Sequence, residues 1–158
     1  MKVHRYQSKI EWTGNNGSGT DHYKNYERDH DIIITGKPII SGSSDPAFRG
    51  DKGKHNPEDL LVSSLSSCHM LWYLHFCSNN GVIVEEYWDT AEGKMIEQKD
   101  GKGNFKEVIL SPRVRVRKQE MADLAIELHK KASEYCFIAN SVNFPVLVQP
   151  TVSIKKMN

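Results

Sequence analysis

Asn56-Pro57-Glu58-Asp59-Leu60-Leu61-Val62-Ser63-Ser64-Leu65-Ser66-Ser67-Cys68-His69-Met70 decides the fold of this 158-residue chain. Asn56 is a preferred helix cap, Pro57 suits the first helical position, and Glu58 and Asp59 favour the positive end of the helix dipole. Leu61, Leu65, Cys68, Trp72 and Phe76 recur at helical spacing. Leu60, Met70, Leu71 and Leu74 widen the apolar surface, so the pattern predicts a largely buried helix. Ser63, Ser64, Ser66 and Ser67 are small enough to let another backbone approach beside Cys68. Asn79-Asn80-Gly81 is a stop signal.

Upstream, residues 2–12 read as an imperfect strand, followed by a glycine-rich loop from Thr13 to Thr20. That loop lacks the lysine of a phosphate-binding loop and reads as a hairpin connection. Asp31 to Thr35 reads as a second strand closed by Gly36-Lys37-Pro38. The punctuated segment from Ser41 to His55 is a long loop of the kind that often carries function.

Downstream, Val82 to Glu97 reads as strand with a bend at Ala91-Glu92-Gly93, and Asp100 to Asn104 as a hairpin turn. From Val108 to Lys118, Val114 and Val116 alternate with Arg113, Arg115 and Arg117, which predicts one buried and one solvated face. The arginine row reads as that solvated face, with anion binding as the alternative. Glu120 to Tyr135 reads as an amphipathic helix on Leu124, Leu128, Ala132 and Tyr135, with Cys136 at its C-terminal end. Phe137 to Asn140 turns off, and Val146 to Ile154 is a last strand, where Pro150 implies an edge or a bulge. The expectation is an α+β fold with mostly antiparallel sheet, as a single domain over residues 1–158.

Lys+Arg 21 against Asp+Glu 20 leaves the chain nearly neutral, which argues against nucleic acid or an anionic membrane as a partner. Charges in the first residues are not followed by an apolar core, and no stretch approaches the roughly 18 apolar residues of a membrane span. A cytoplasmic protein with its three cysteines reduced is expected.

The cysteines carry the chemistry. A free thiol with a pKa of about 8.5 is only ~3% thiolate at pH 7. Bringing it to about 6 takes roughly 3.4 kcal/mol of preference for the charged form. Cys68 is too far along its helix to feel the positive dipole end, so a cation from elsewhere would have to activate it. Glu58 is ten residues, about 15 Å, from Cys68 on a straight helix. They share a site only if the helix breaks or two chains contribute. Such a carboxylate would orient an arginine rather than activate the thiol. Cys136 is 68 residues from Cys68, and loop closure between them would contribute roughly 4 kcal/mol. Cys77 reads as an inert core thiol. For Cys68, plain core packing and reactivity both stand open. His30, His55, His69 and His75 lack zinc spacing, so no metal is expected. His69 diverges from Cys68 by about 100° on the helix, which makes it a poor base for that thiol.

At these residues the sequence resembles the OsmC/Ohr family of thiol-dependent hydroperoxide reductases. The resemblance rests on Asn56-Pro57-Glu58-Asp59-Leu60-Leu61, on Ser67-Cys68-His69, and on Tyr135-Cys136 before an Asn-containing turn and a final strand. The segment from Ser43 to Asp51 is similar to the loop preceding that helix in an OsmC-like subgroup. The resemblance implies sheets packed around a central buried cysteine-bearing helix, in an intertwined homodimer with two interfacial active sites. It implies Cys68 as peroxidatic nucleophile and Cys136 as resolving partner, with an organic hydroperoxide as substrate and an external dithiol as reductant. No bound cofactor is implied. The family's activating arginine usually lies in the loop after the first strand, but Thr13 to Thr20 holds none. Arg28 is the candidate for that role, with Arg49 next, and Glu58 completes the expected set. Trp72, Phe76 and Phe137 would line an apolar pocket. A redox sensor or small-ligand binder of the same fold is the alternative to an enzyme.

Overall fold

The computed structural model describes residues 1–155, so the last three residues of the expected 1–158 domain lie outside the described residues. The chain forms two compact units, Met1–Leu60 and the segment from Leu61 onward. Each is an α+β or β arrangement with its own logic.

The N-terminal unit is an antiparallel sheet of β1 (Lys9–Trp12), β2 (His30–Ile33) and β3 (Ile40–Gly42). Trp12 opposes His30 and Lys9 opposes Ile33. The first strand is shorter than residues 2–12 because only its last four residues find a partner. The long loop between β1 and β2 is folded back on itself. The Trp12 indole donates to the Glu27 carbonyl at 2.8 Å, and the Glu27 amide donates to the Gly14 carbonyl at 2.9 Å. A Cβ at Gly14 would lie 2.0 Å from the Glu27 oxygen, so only glycine permits this closure. After β3 the chain makes a 3-10 turn at Pro46–Phe48, capped by Asp45.

Helix α1 (Pro57–Asn79) starts where the capping signals put it. The Asn56 side chain accepts from the Asp59 amide at 2.7 Å, and the Asp59 carboxylate reaches back to the Asn56 amide at 3.5 Å. Two otherwise unpaired backbone donors are thereby satisfied.

The second unit holds two three-stranded sheets and helix α2 (Ala122–Tyr135). Its strands are β4 (Val84–Asp89), β5 (Glu92–Glu97), β6 (Gly103–Leu110), β7 (Pro112–Val116), β8 (Val146–Val148) and β9 (Thr151–Ser153). One sheet runs β4-β7-β9 and the other β5-β6-β8. The β4–β7 and β5–β6 pairs are antiparallel, while β6–β8 and β7–β9 are parallel. The register explains the split. Asp89 opposes Pro112 and Glu92 opposes Ile109, so the gap at Thr90-Ala91 faces the gap at Ser111. Leu110 opposes Val148 and Arg113 opposes Thr151, so Gln149-Pro150 falls at the same level. Three strand pairs change sheet along one line. Pro150 sits on that line, where no ladder donor is needed.

Two cores fill this unit. Tyr73, Phe76 and Cys77 of α1 pack with Val114 and Val116 of β7 and with Ala125, Leu128 and Ala132 of α2. Leu65 packs with Val108 and Leu110 of β6. Burying a side chain such as Leu65 contributes about 1.5–3 kcal/mol. The inward face of α2 is Ala125, Leu128, His129 and Ala132, while Leu124 and Tyr135 are exposed. The stripe expected from Leu124 and Tyr135 is therefore rotated by one residue, because a buried histidine stands where periodicity reads a polar position. The arginine row is solvated but engaged: Arg115 pairs with Glu86 at 2.9 Å and also with Glu85, and Arg117 with Glu85 at 3.1 Å. Among the described residues, no helix is long and apolar enough to cross a membrane.

Asp89 pins the line where the strands change sheet. Its carboxylate accepts from the Ser111 amide at 2.6 Å and from the Ser66 hydroxyl of α1 at 2.5 Å. Asp89→Ala leaves a backbone donor and a hydroxyl unpaired and is expected to destabilise this unit by about 2–4 kcal/mol. Urea denaturation checks this, and Asp89→Asn should lie between the two because its amide oxygen can serve only one donor well.

Candidate active site

Helix α1 turns Leu65, His69, Tyr73 and Cys77 inward at successive four-residue steps. Cys68 precedes His69 and so lies at the margin of that stripe, half-buried. Cys136 terminates α2 in extended conformation and is 1% exposed. The second unit brings the two thiols within electrostatic reach of one another. Burial pushes the Cys136 thiol up to about 11, and its neighbour Cys68 adds to the rise. The Ala139 amide, donating to the Cys136 sulfur at 3.4 Å, opposes it only in part. Cys136 is thus protonated at neutral pH. The third thiol, Cys77, is 1% exposed and pushed up to about 11 by burial.

An aromatic wall stands beside the thiols. Trp72 is one helical turn beyond Cys68, on the same face of α1. Its ring meets Phe76 and Phe137 at 5.5 Å each and Tyr135 at 5.3 Å. Tyr135 and Phe137 flank Cys136 in sequence and are exposed.

Arg28 and Glu58 belong to the N-terminal unit. Arg28 lies two residues before β2, its guanidinium 4.3 Å from the centroids of both the Tyr23 and Tyr26 rings. It donates to the Tyr23 carbonyl at 2.8 Å and to the Tyr26 carbonyl. Arg49 also approaches the Tyr23 ring, at 5.9 Å, from a left-handed backbone conformation. Glu58 is half-buried in the first turn of α1. The helix is unbroken from Pro57 to Asn79. Within one chain, Glu58 and Cys68 therefore remain about 15 Å apart along it.

Sequence reasoning did not find His129. Its Nδ1 lies 3.0 Å from Nε2 of His69, and its ring stacks on Tyr73 with centroids 3.8 Å apart. Both histidines are nearly inaccessible, and burial lowers His69 to about 4 and His129 to about 3. Asp89 pulls His69 the other way. The signal available in the sequence was His129's place on the Leu128–Ala132 face, which periodicity alone reads as polar. Among the described residues, no three His, Cys, Asp or Glu side chains group as metal ligands.

An α+β protein with a paired-cysteine site is what these features define. The chain belongs to the OsmC-like protein family, whose profile matches residues 50–151. It is 26% identical to the uncharacterised protein YmaD of Bacillus subtilis over 98% of this chain and 97% of that one. An OsmC-like protein of unknown function from Vibrio cholerae is similar in structure, with a TM-score of 0.84 and 28% identity, covering 94% of this chain and 100% of that one. An organic hydroperoxide resistance protein from Elizabethkingia anophelis shares the fold, with a TM-score of 0.68 at 17% identity over 98% of this chain and 99% of that one.

The histidine pair makes the second unit acid-sensitive. Both rings are neutral when folded but titrate near 6.5 when unfolded, so the unfolded chain binds more protons between about pH 6.5 and 4. Their contribution is present above pH 6.5 and is lost as pH falls through that window, by a few kcal/mol in all. Denaturation midpoints measured from pH 7 to 4 should fall steeply, and a His69→Gln/His129→Gln double variant should flatten the fall.

Proposed function

We propose that this chain is a cysteine-based peroxidase that reduces organic hydroperoxides to alcohols. The observation that carries the proposal is a half-buried Cys68 close enough to a buried Cys136 to raise its thiol. The Cys68 thiolate attacks the distal peroxide oxygen, the O–O bond breaks, and the alkoxide leaves as alcohol after taking a proton. Cys68 becomes a sulfenic acid. Cys136 then displaces hydroxide from that sulfur, giving a Cys68–Cys136 disulfide and water. A dithiol reductant supplies two electrons and restores both thiols.

The aromatic wall of Trp72, Phe76, Tyr135 and Phe137 favours an organic substrate over hydrogen peroxide. Glu58 and Arg28 complete the site, with Arg49 as the alternative cation. A homodimer in which both subunits contribute to each site accommodates the separation of Glu58 from Cys68 along one helix. The protein acts in the cytoplasm without a bound cofactor. The organic hydroperoxide resistance protein that shares the fold is consistent with this chemistry.

One observation favours a second function, a redox-sensing or ligand-binding module. The Arg28 guanidinium is already held by two rings and two carbonyls, which leaves it less free to attend a thiolate. A thiolate titration of Cys68 separates the two, since an ordinary free-thiol titration would favour the module.

Stopped-flow mixing with cumene hydroperoxide tests the enzyme. Cys68→Ser should abolish turnover, whereas Cys136→Ser should consume about one equivalent and stall as a trappable sulfenic acid. Turnover that survives Cys68→Ser overturns the proposal.

A further inference from the structure

Cys136 has a proton problem. To attack Cys68 it must shed a proton, and when the disulfide is reduced it leaves as a thiolate that must regain one. Yet it is only 1% exposed.

The surroundings of Cys136 offer another route. A small cavity of about 40 Å³ is lined by Cys136, His69 and Ser133 among apolar side chains. That volume admits a water molecule. His69 lines this cavity and, through Nε2, meets His129 Nδ1 at 3.0 Å. His129 in turn lines an open groove of about 360 Å³ together with Lys130, Ser133 and Leu147. Ser133, Val146 and Val148 border both volumes, so only a thin wall of side chains separates them. The second ring nitrogen of His129, Nε2, is buried and has no hydrogen-bond partner. Two imidazoles in series therefore run from the thiol's cavity towards the groove.

We propose that His69 and His129 form a proton path between the Cys136 thiol and the surface groove, acting as proton-transfer residues in disulfide formation and reduction. The inference deepens the peroxidase function and rests on it. In the resolving step the Cys136 S–H bond and the Cys68 S–O bond break and the S–S bond forms. The thiol proton passes to His69 and on through His129, while hydroxide departs on the half-exposed side of Cys68 and takes a proton from solvent. The sum is one water and no net proton. On reduction the dithiol's thiolate attacks the Cys68 sulfur, its two electrons cleave the S–S bond, and the Cys136 thiolate regains its proton along the same path.

The environment suits a relay. Burial keeps both rings neutral near pH 7, so the transfer is concerted: each ring releases a proton at one nitrogen as it accepts one at the other, and no imidazolium accumulates. The groups facing the pair are Tyr73 of α1, stacked on His129, Asp89 of β4, whose charge favours a transient His69 cation, and Cys136 at the end of α2. The Tyr73 hydroxyl is held firmly protonated by burial and does not compete.

The test loads Cys68 with Ellman's reagent and follows the coloured thiolate released when Cys136 attacks the mixed disulfide. This needs no peroxide, so it stands apart from the peroxidase assay. In the wild type the release rate should be nearly constant between about pH 6 and 9, because the relay is neutral throughout. In His129→Phe, which keeps a ring against Tyr73, the rate at pH 7 should fall at least about tenfold and rise about tenfold per pH unit, tracking the Cys136 thiolate. A wild-type rate that itself climbs about tenfold per unit overturns the path whether or not the variant folds. An unchanged rate and profile in His129→Phe does so too. Flat release with no sulfenic acid formed from cumene hydroperoxide would instead sink the peroxidase and leave the path standing.

Discussion

The inward stripe of α1 is the constraint on which the second unit depends. Leu65, His69, Tyr73 and Cys77 lie one helical turn apart on the buried face. Leu65 closes on β6, Tyr73 and Cys77 on β7 and α2, and His69 on His129 of α2. Once that face is committed, the position of Cys68 follows from helical geometry. It falls about 100° from His69, at the margin between core and surface, where a thiol can be both shielded and reached.

Cys136 is fixed from the other side. The inward face of α2 runs Ala125, Leu128, His129 and Ala132, and the helix ends one turn later with the chain extended at Cys136. Its carbonyl accepts from the Asn140 amide at 3.0 Å, and Asn140 also donates to the Glu134 carbonyl at 2.9 Å, which ties off the helix end. The thiol is thus delivered to Cys68 by a rigid element and held by a short turn. A thiol at a helix end can change partners with a small backbone adjustment, which a thiol within a helix cannot.

The polar groups inside this unit are unusually consequential. A buried imidazole without a partner would cost about 1–3 kcal/mol, so pairing His69 with His129 and stacking His129 on Tyr73 offsets much of their burial. Asp89 adds a charge that is shared between a backbone amide and a serine hydroxyl, at the line where three strand pairs change sheet. One of these groups, His69, also lines the cavity beside Cys136.

Much of this was legible in the sequence. The start of α1 was readable from Asn56, Pro57 and Asp59, because capping is a local matter settled within four residues. The burial of Val114 and Val116 followed from alternation, whereas the single last strand expected from Val146 to Ile154 is two strands in different sheets, divided at Pro150. The α2 face was misplaced by one residue, since His129 is polar by composition and is buried only because a second histidine, 60 residues away, receives it. By itself the sequence determined both helices and most of the strand segments, the α+β class, the three cysteines and the family resemblance, all of which rest on short-range pattern. Only the tertiary structure decided that Cys136 comes within electrostatic reach of Cys68, that Arg28 is held by two tyrosines, and that His69 and His129 share a hydrogen bond. Those contacts join residues distant in sequence or set in irregular loops, where packing rather than periodicity chooses the partner.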